Sequence, residues 1–228
     1  MNPARRRLLL LLSITALSAR VAHAAPAAAA SIPAPTSDAA SAALLRRWLR
    51  TTRSGSAGFT QQVVDAKGAR GAIARGHFAF ERPGRFRWVY TSPYHQDIVS
   101  DGASIWTYDH DLDQVTITRA ARALSGTPAA LLAGADIDAV FRLQSLPAAD
   151  GLQWVLATPR GNDSAFAWVR IGLRVGAHGV ELVQMQLRDA FGRTSRIRFD
   201  AVQRNPSLPA ATFRFVAPAG AAVLDQRG

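Results

Sequence analysis

Five histidines, sixteen acidic residues and no cysteine are the side chains from which this 228-residue sequence could build a reacting or metal-binding centre. Without cysteine, disulfide frameworks, cysteine-ligated zinc or iron–sulfur sites and thiol nucleophiles are excluded. The densest acidic cluster, Asp109-His110-Asp111-Leu112-Asp113, opens like a calcium loop. Such a loop needs glycine after its third acid and glutamate at its twelfth position, where this chain has Gln114 and Ala120. The cluster reads as a solvated turn, and no metal is expected. His77 and His95 fall in expected strands and His178 in a glycine-flanked turn, none with an acid at catalytic spacing. The strings G-x-S-x-G, H-E-x-x-H, G-x-G-x-x-G and the P-loop are all missing. Neither enzyme activity nor a cofactor is expected.

What remains is apolar rather than reactive. Phe86, Trp88 and Tyr90 alternate along one segment and Trp106 and Tyr108 along another, and alternation puts each set on one face of a strand. Such a face is either ordinary sheet core or the wall of an open ligand cavity, and the pattern leaves both open. The register is open as well, because a two-residue turn at Pro83-Gly84 and a three-residue turn starting at Arg82 give opposite facings. From pattern alone, Arg82 reads as an exposed loop arginine.

The elements that must hold these residues begin after an export signal. Arg5, Arg6 and Arg7, the apolar run from Leu8 to about Leu17, and Ala22-His23-Ala24 match a secretory signal peptide over residues 1–24. Residues 25–36 form an Ala/Pro tether, leaving 37–228 as one domain. The formal charge of +11 comes from 27 basic and 16 acidic residues, and four of the arginines belong to the signal. The remaining excess is scattered, with no basic run longer than two residues. A nucleic-acid binder concentrates its charge on one face, so no such partner is expected.

Within the domain, Leu44, Leu45, Trp48 and Leu49 recur at helical spacing behind a Ser37 or Asp38 cap. Alternating runs then predict strands at 58–65, 72–81, 85–91, 95–100, 104–109 and 114–119, with Asp101-Gly102 as a type I′ hairpin turn. Thr127-Pro128 starts a short helix with Leu131 and Leu132, ending at Gly134. Strands resume at 140–145, 153–158, 165–175, 180–188, 193–202 and 212–216, and Ala167, Val169, Ile171, Leu173 and Val175 should share a buried face. The expected fold is mainly β, about eleven antiparallel strands with two or three short helices packed on them.

Phe59-Thr60-Gln61-Gln62, Arg82-Pro83-Gly84-Arg85-Phe86-Arg87-Trp88, the segment Ser100 to Asp109, Asp113-Gln114-Val115, Thr127-Pro128 and Asp225-Gln226-Arg227 occur in this order. The ordered set resembles the periplasmic outer-membrane lipoprotein carrier (LolA) family from about residue 40 onward. The resemblance implies an incomplete, unclosed antiparallel β-barrel with a helical lid over an apolar cavity. It implies a periplasmic chaperone that receives acylated lipoproteins from an inner-membrane ABC transporter and delivers them to an outer-membrane acceptor lipoprotein. That acceptor shares the fold but carries its lipid on a cysteine, so a chain without cysteine matches the carrier.

By resemblance, Arg82 is a latch onto lid-helix backbone around Leu132 and Ala133. Phe86 and Trp88 match cavity positions, and Tyr90, Trp106 and Leu131 join them as candidate acyl-chain contacts. Ala129 and Ala130 stand where bulkier lid residues occur in the family, which implies a smaller lid. The protein is expected to act as a monomer. The alternative is a periplasmic sensor of the same fold that binds a lipoprotein or acyl signal without transporting it.

Overall fold

The computed structural model describes residues 37–120, 128–134, 136–161, 164–177 and 179–227. The expected signal peptide and tether, Thr127 and His178 lie outside the described residues. The first element is a helix, α1 (Ser37–Thr51), whose Ser41, Ala42, Leu45 and Trp48 are buried. Their spacing of three and four residues makes one continuous stripe.

Six strands follow: β1 (Ser54–Val64), β2 (Arg70–Glu81), β3 (Arg85–Ser92), β4 (Gln96–Asp101), β5 (Ser104–Asp109) and β6 (Gln114–Arg119). A short helix α2 (Pro128–Ala133) and a single helical turn α3 (Ile137–Val140) interrupt the sheet. The chain returns through β7 (Phe141–Ala149), β8 (Leu152–Pro159), β9 (Phe166–Gly176), β10 (Gly179–Asp189) and β11 (Thr194–Arg204). A last short strand, β12 (Ala222–Asp225), completes, among the described residues, twelve strands in one sheet of order β12-β6-β5-β4-β3-β2-β1-β11-β10-β9-β8-β7. The two ends, β12 and β7, do not pair with each other, so the sheet is mainly β, antiparallel apart from β12, and unclosed, as the resemblance implies.

The join between the two halves is β1, which pairs with β2 on one side and β11 on the other. It places Phe59 opposite Phe199 and Gly76. Glycine is required at position 76: a Cβ there would run into the Val89 carbonyl and lie 2.7 Å from Phe59 Cζ. The Phe59 ring can therefore lie across the strand and reach Trp88, 4.3 Å away between centroids.

Three local expectations are corrected. The Asp101-Gly102 hairpin is not type I′, because only Gly102 has positive φ, 99°, while the Asp101 carboxylate accepts the backbone N–H groups of Ala103 and Ser104. Residues 212–216 are not a strand: Ala210–Phe213 is a 3₁₀ turn, with Phe213 buried and Phe215 stacked 6.4 Å from Trp106. Their alternation imitates a strand, yet the rings pack without a backbone ladder. On β9, Val169, Ile171 and Leu173 are buried as expected, whereas Ala167 and Val175 outrun the core and are exposed.

Candidate functional site

β3 runs across the face that the helices cover. Glu81 pairs with Arg85, so the connection is the three-residue turn Arg82-Pro83-Gly84, with Gly84 at φ 76°. This turn fixes the register left open by the sequence and points Phe86, Trp88 and Tyr90 inward, each less than a tenth exposed. Trp88 lies 4.9 Å from Phe78 and 6.3 Å from Phe199, and Tyr90 meets Phe59 edge-on at 5.3 Å. The Tyr90 hydroxyl donates to Gln61 Oε1 at 2.8 Å, and burial first of all raises its pKa above the usual phenol range. These rings, α1 through Leu45 and Trp48, α2 through Leu131 and Leu132, and Leu173, Leu182 and Met185 form one contiguous apolar interior.

Trp106 is not part of it. The register pairs Trp106 with Val99, Val99 with Arg87, and Phe86 with Ser100, so Trp106 faces the opposite side of the sheet from Phe86. There it packs on Phe215 beside buried Val99 and Val115, a second small core under the C-terminal segment. Its assignment to the cavity is thereby corrected. Sequence alternation grouped Trp106 with Tyr108 rightly, but the facing of a strand depends on the turns before it. Phe59, Phe78 and Phe199 were missed, although the Phe78/Phe80 alternation carried the signal.

Between α1 and the sheet there remains a cavity of ≈ 20 Å³, lined among others by Trp48, Phe78, Phe80, Leu182 and Phe199. About one water fits such a space, and an acyl chain does not. Entry of a chain into this space would require part of its wall to move.

α2 is fastened at its C-terminal end to the turn between β2 and β3. The Arg82 guanidinium donates from Nη1 to the Gly134 carbonyl at 2.8 Å, and the Gly84 N–H donates to the Ala133 carbonyl at 2.8 Å. The acceptor lies one residue beyond Ala133, next to the segment around Leu132 and Ala133 that the resemblance implies. Arg82 reaches the Gly134 carbonyl while Gly84 reaches the Ala133 carbonyl, and Leu132 contributes a fully buried side chain. Arg82 is thus a partly buried clasp and not an exposed loop residue. Its guanidinium carbon sits 5.8 Å from the Trp48 ring and 5.5 Å from the Phe80 ring. Desolvation lowers its pKa to about 10, so it remains charged at neutral pH but has lost much of its hydration.

On the outer side of the clasp lies a groove of ≈ 560 Å³ lined by Arg46, Leu49, Arg50, Arg53, Arg82, Pro83, Asp136, Ile137 and Asp138. Arg46 forks onto Asp138 with contacts of 2.8 and 2.7 Å, tying α1 to α3. The Asp109–Asp113 cluster, by contrast, is spent on its own turn: Asp109 Oδ1 accepts the N–H groups of Asp111 and Leu112, and Asp113 accepts the Tyr108 hydroxyl.

The family profile described as "Outer membrane lipoprotein carrier protein LolA" matches residues 50–216. A curated outer-membrane lipoprotein carrier protein of Leptothrix cholodnii is 46% identical over 182 residues, covering 80% of this chain and 84% of that protein. Its counterpart in Methylibium petroleiphilum is 43% identical, covering 80% and 88%. Among solved structures, an uncharacterised conserved protein of Thermus thermophilus superposes with a TM-score of 0.51 at 14% identity, covering 81% of this chain and 98% of that one, a likeness of fold alone. With most of its length matched at these identities, the chain belongs to the outer-membrane lipoprotein carrier family.

Proposed function

We propose that the protein is a periplasmic lipoprotein chaperone: it takes acylated lipoproteins from an inner-membrane ABC transporter, shields their acyl chains in its apolar interior, and passes them to an outer-membrane acceptor lipoprotein. The observation that carries the mechanism is an apolar interior closed by a six-residue helix that is clasped at its C-terminal end by Arg82 and Gly84. No bond need be made or broken in the cargo.

The magnitudes suit a carrier. Parting α2 from the sheet exposes two leucines, at about 1.5–3 kcal/mol each, and breaks one neutral and one charged hydrogen bond, at about 0.5–1.5 and 1.5–3 kcal/mol. Acyl chain buried at ~0.8 kcal/mol per methylene offsets that with roughly half to most of one long chain. Further chain is net gain, but the open lid keeps a cost that closure returns on release. Loading and unloading are then both within reach of modest differences in affinity. The partial desolvation of Arg82 in the closed state offsets part of that cost, since opening restores its hydration.

Purified protein incubated with inner-membrane vesicles bearing the transporter is expected to co-elute with released lipoprotein. Trp88→Glu should abolish this by placing a carboxylate in the interior, while circular dichroism checks that the sheet persists. Undiminished co-elution with the glutamate variant would reject the cavity assignment.

A further inference from the structure

Among the described residues, six buried side-chain polar atoms lack a hydrogen-bond partner within the chain, and five of them sit around the C-terminal half of α1: Trp48 Nε1, Thr52 Oγ1, Nε and Nη2 of Arg82, and Nε of Arg204. All five can donate. Trp48, Thr52 and Arg204 line the small apolar cavity together, and the Arg82 guanidinium lies 5.8 Å from the Trp48 ring. Buried donors without acceptors are costly, so these groups depend on an oxygen from outside the chain, water or ligand.

The adjoining groove has the same imbalance in charge. Of its two carboxylates, Asp138 is committed to Arg46, and Asp136 accepts the backbone N–H groups of Asp138 and Ala139. The Arg50 and Arg53 side chains have neither ion pair nor hydrogen bond among the described residues, and both are exposed along the groove. Leu49 and Ile137 line the groove and also pack on the apolar interior. A cationic, donor-rich recess therefore abuts an apolar one, and that pairing selects an amphiphile. Guanidinium forks match carboxylate and phosphate bidentately, and a phosphate offers several guanidinium groups at once enough oxygens to share.

We propose that the end of α1 is a binding site for the phosphate of an anionic phospholipid, held by Arg50, Arg53 and Arg82 while its acyl tails enter the apolar interior. The tails' place rests on the carrier reading; the phosphate contact does not. The carrier would then hold a membrane lipid in competition with its acylated cargo, since both draw on one interior.

The test is titration of the purified protein, by calorimetry or NMR, with dihexanoyl phosphatidylglycerol below its micellar concentration. Binding is expected, with at least tenfold loss in R50E/R53E and a smaller loss in R50Q/R53Q, which guards against misfolding of the double glutamate variant. Neutral dihexanoylglycerol should bind all three proteins alike. Equal phosphatidylglycerol affinity across the three proteins, or a parallel loss for the neutral lipid, would overturn the site. Inorganic phosphate should bind more weakly than the lipid; equal affinity would reduce the site to one for free phosphate and overturn the lipid assignment. Lipoprotein release from vesicles, run on the unaltered protein, separates the two readings. Protein that binds phosphatidylglycerol but takes no lipoprotein sinks the carrier reading alone, and the reverse result sinks this site alone.

Discussion

α1 and α2 cover the same apolar face and are fastened to it in different ways. α1 is tied along its length: Ser41 Oγ donates to the Trp154 carbonyl, Ser145 Oγ accepts the Ala42 N–H, Arg46 forks onto Asp138, and Asn205 accepts the Arg53 N–H while donating to the Thr51 carbonyl. These partners come from β7, β8, α3 and the segment after β11. α2 has six residues and, among the described residues, is held by the Gly84 N–H on Ala133 and by Arg82 on the carbonyl just beyond it. A helix that short has no stability of its own and exists only while its leucines are docked. One cover is built into the frame, and the other, among the described residues, is fastened at one turn, which we take as a door.

The contrast can be broken most directly in the packing. Trp48→Ala should lower the global unfolding free energy by about 3–5 kcal/mol, read by urea denaturation, because the frame unfolds with the sheet. Leu132→Ala removes comparable contacts from the door. Its cost should surface first as local opening, with hydrogen exchange at α2 faster by at least tenfold and exchange at α1 unchanged. Equal acceleration in both helices would mean that they open as one unit.

A smaller effect is expected at the clasp. Arg82→Leu removes one charged hydrogen bond, so α2 should exchange roughly 10–100-fold faster, matching about 1.5–3 kcal/mol. The variant should still accept lipoprotein from vesicles but release it slowly to acceptor, because the closed empty state no longer competes with cargo. Handover at the normal rate would leave Arg82 as a packing residue only.

The two covers were also unequally legible in the sequence. α1 announced itself by Leu44, Leu45, Trp48 and Leu49, because a helix in contact with the sheet along its length must carry its own apolar stripe. The inward set Phe86, Trp88 and Tyr90 was visible as alternation, but its facing waited on the three-residue turn at Arg82. Trp106 alternates just as well and faces the other way. Arg82 shows how far local pattern falls short: its role depends on the Gly134 carbonyl, 52 residues away, and a single-residue change of acceptor is invisible without coordinates. The arginine groove was less legible still, since Arg50 and Arg53 become neighbours of Arg82 only when α1 docks beside the turn.

The smallest expected effect distinguishes the two fastenings by pH. The Arg46 hydrogen bond is the main cause that holds the Asp138 carboxyl below its ordinary range. A carboxylate with a depressed folded pKa contributes stability at and above its unfolded pKa and loses it as pH falls through the folded value. The tie between α1 and α3 should therefore hold at pH 7 and fail in acid below about 4. With the two side chains 38% and 45% exposed, solvent screening limits its worth to about 0.5 kcal/mol or less. Asp138→Asn should cost that much at pH 7 and progressively less as the pH falls below the ordinary carboxylate range, read as the difference between variant and parent in paired urea titrations. The clasp has no group titrating in this window, because its acceptors are backbone carbonyls and Arg82 is depressed only to about 10. Moderate acid should thus loosen a tie of the frame while the door's own bonds persist. Acid-induced acceleration of exchange confined to α2 would invert that assignment and make the clasp, not the frame, the pH-sensitive side.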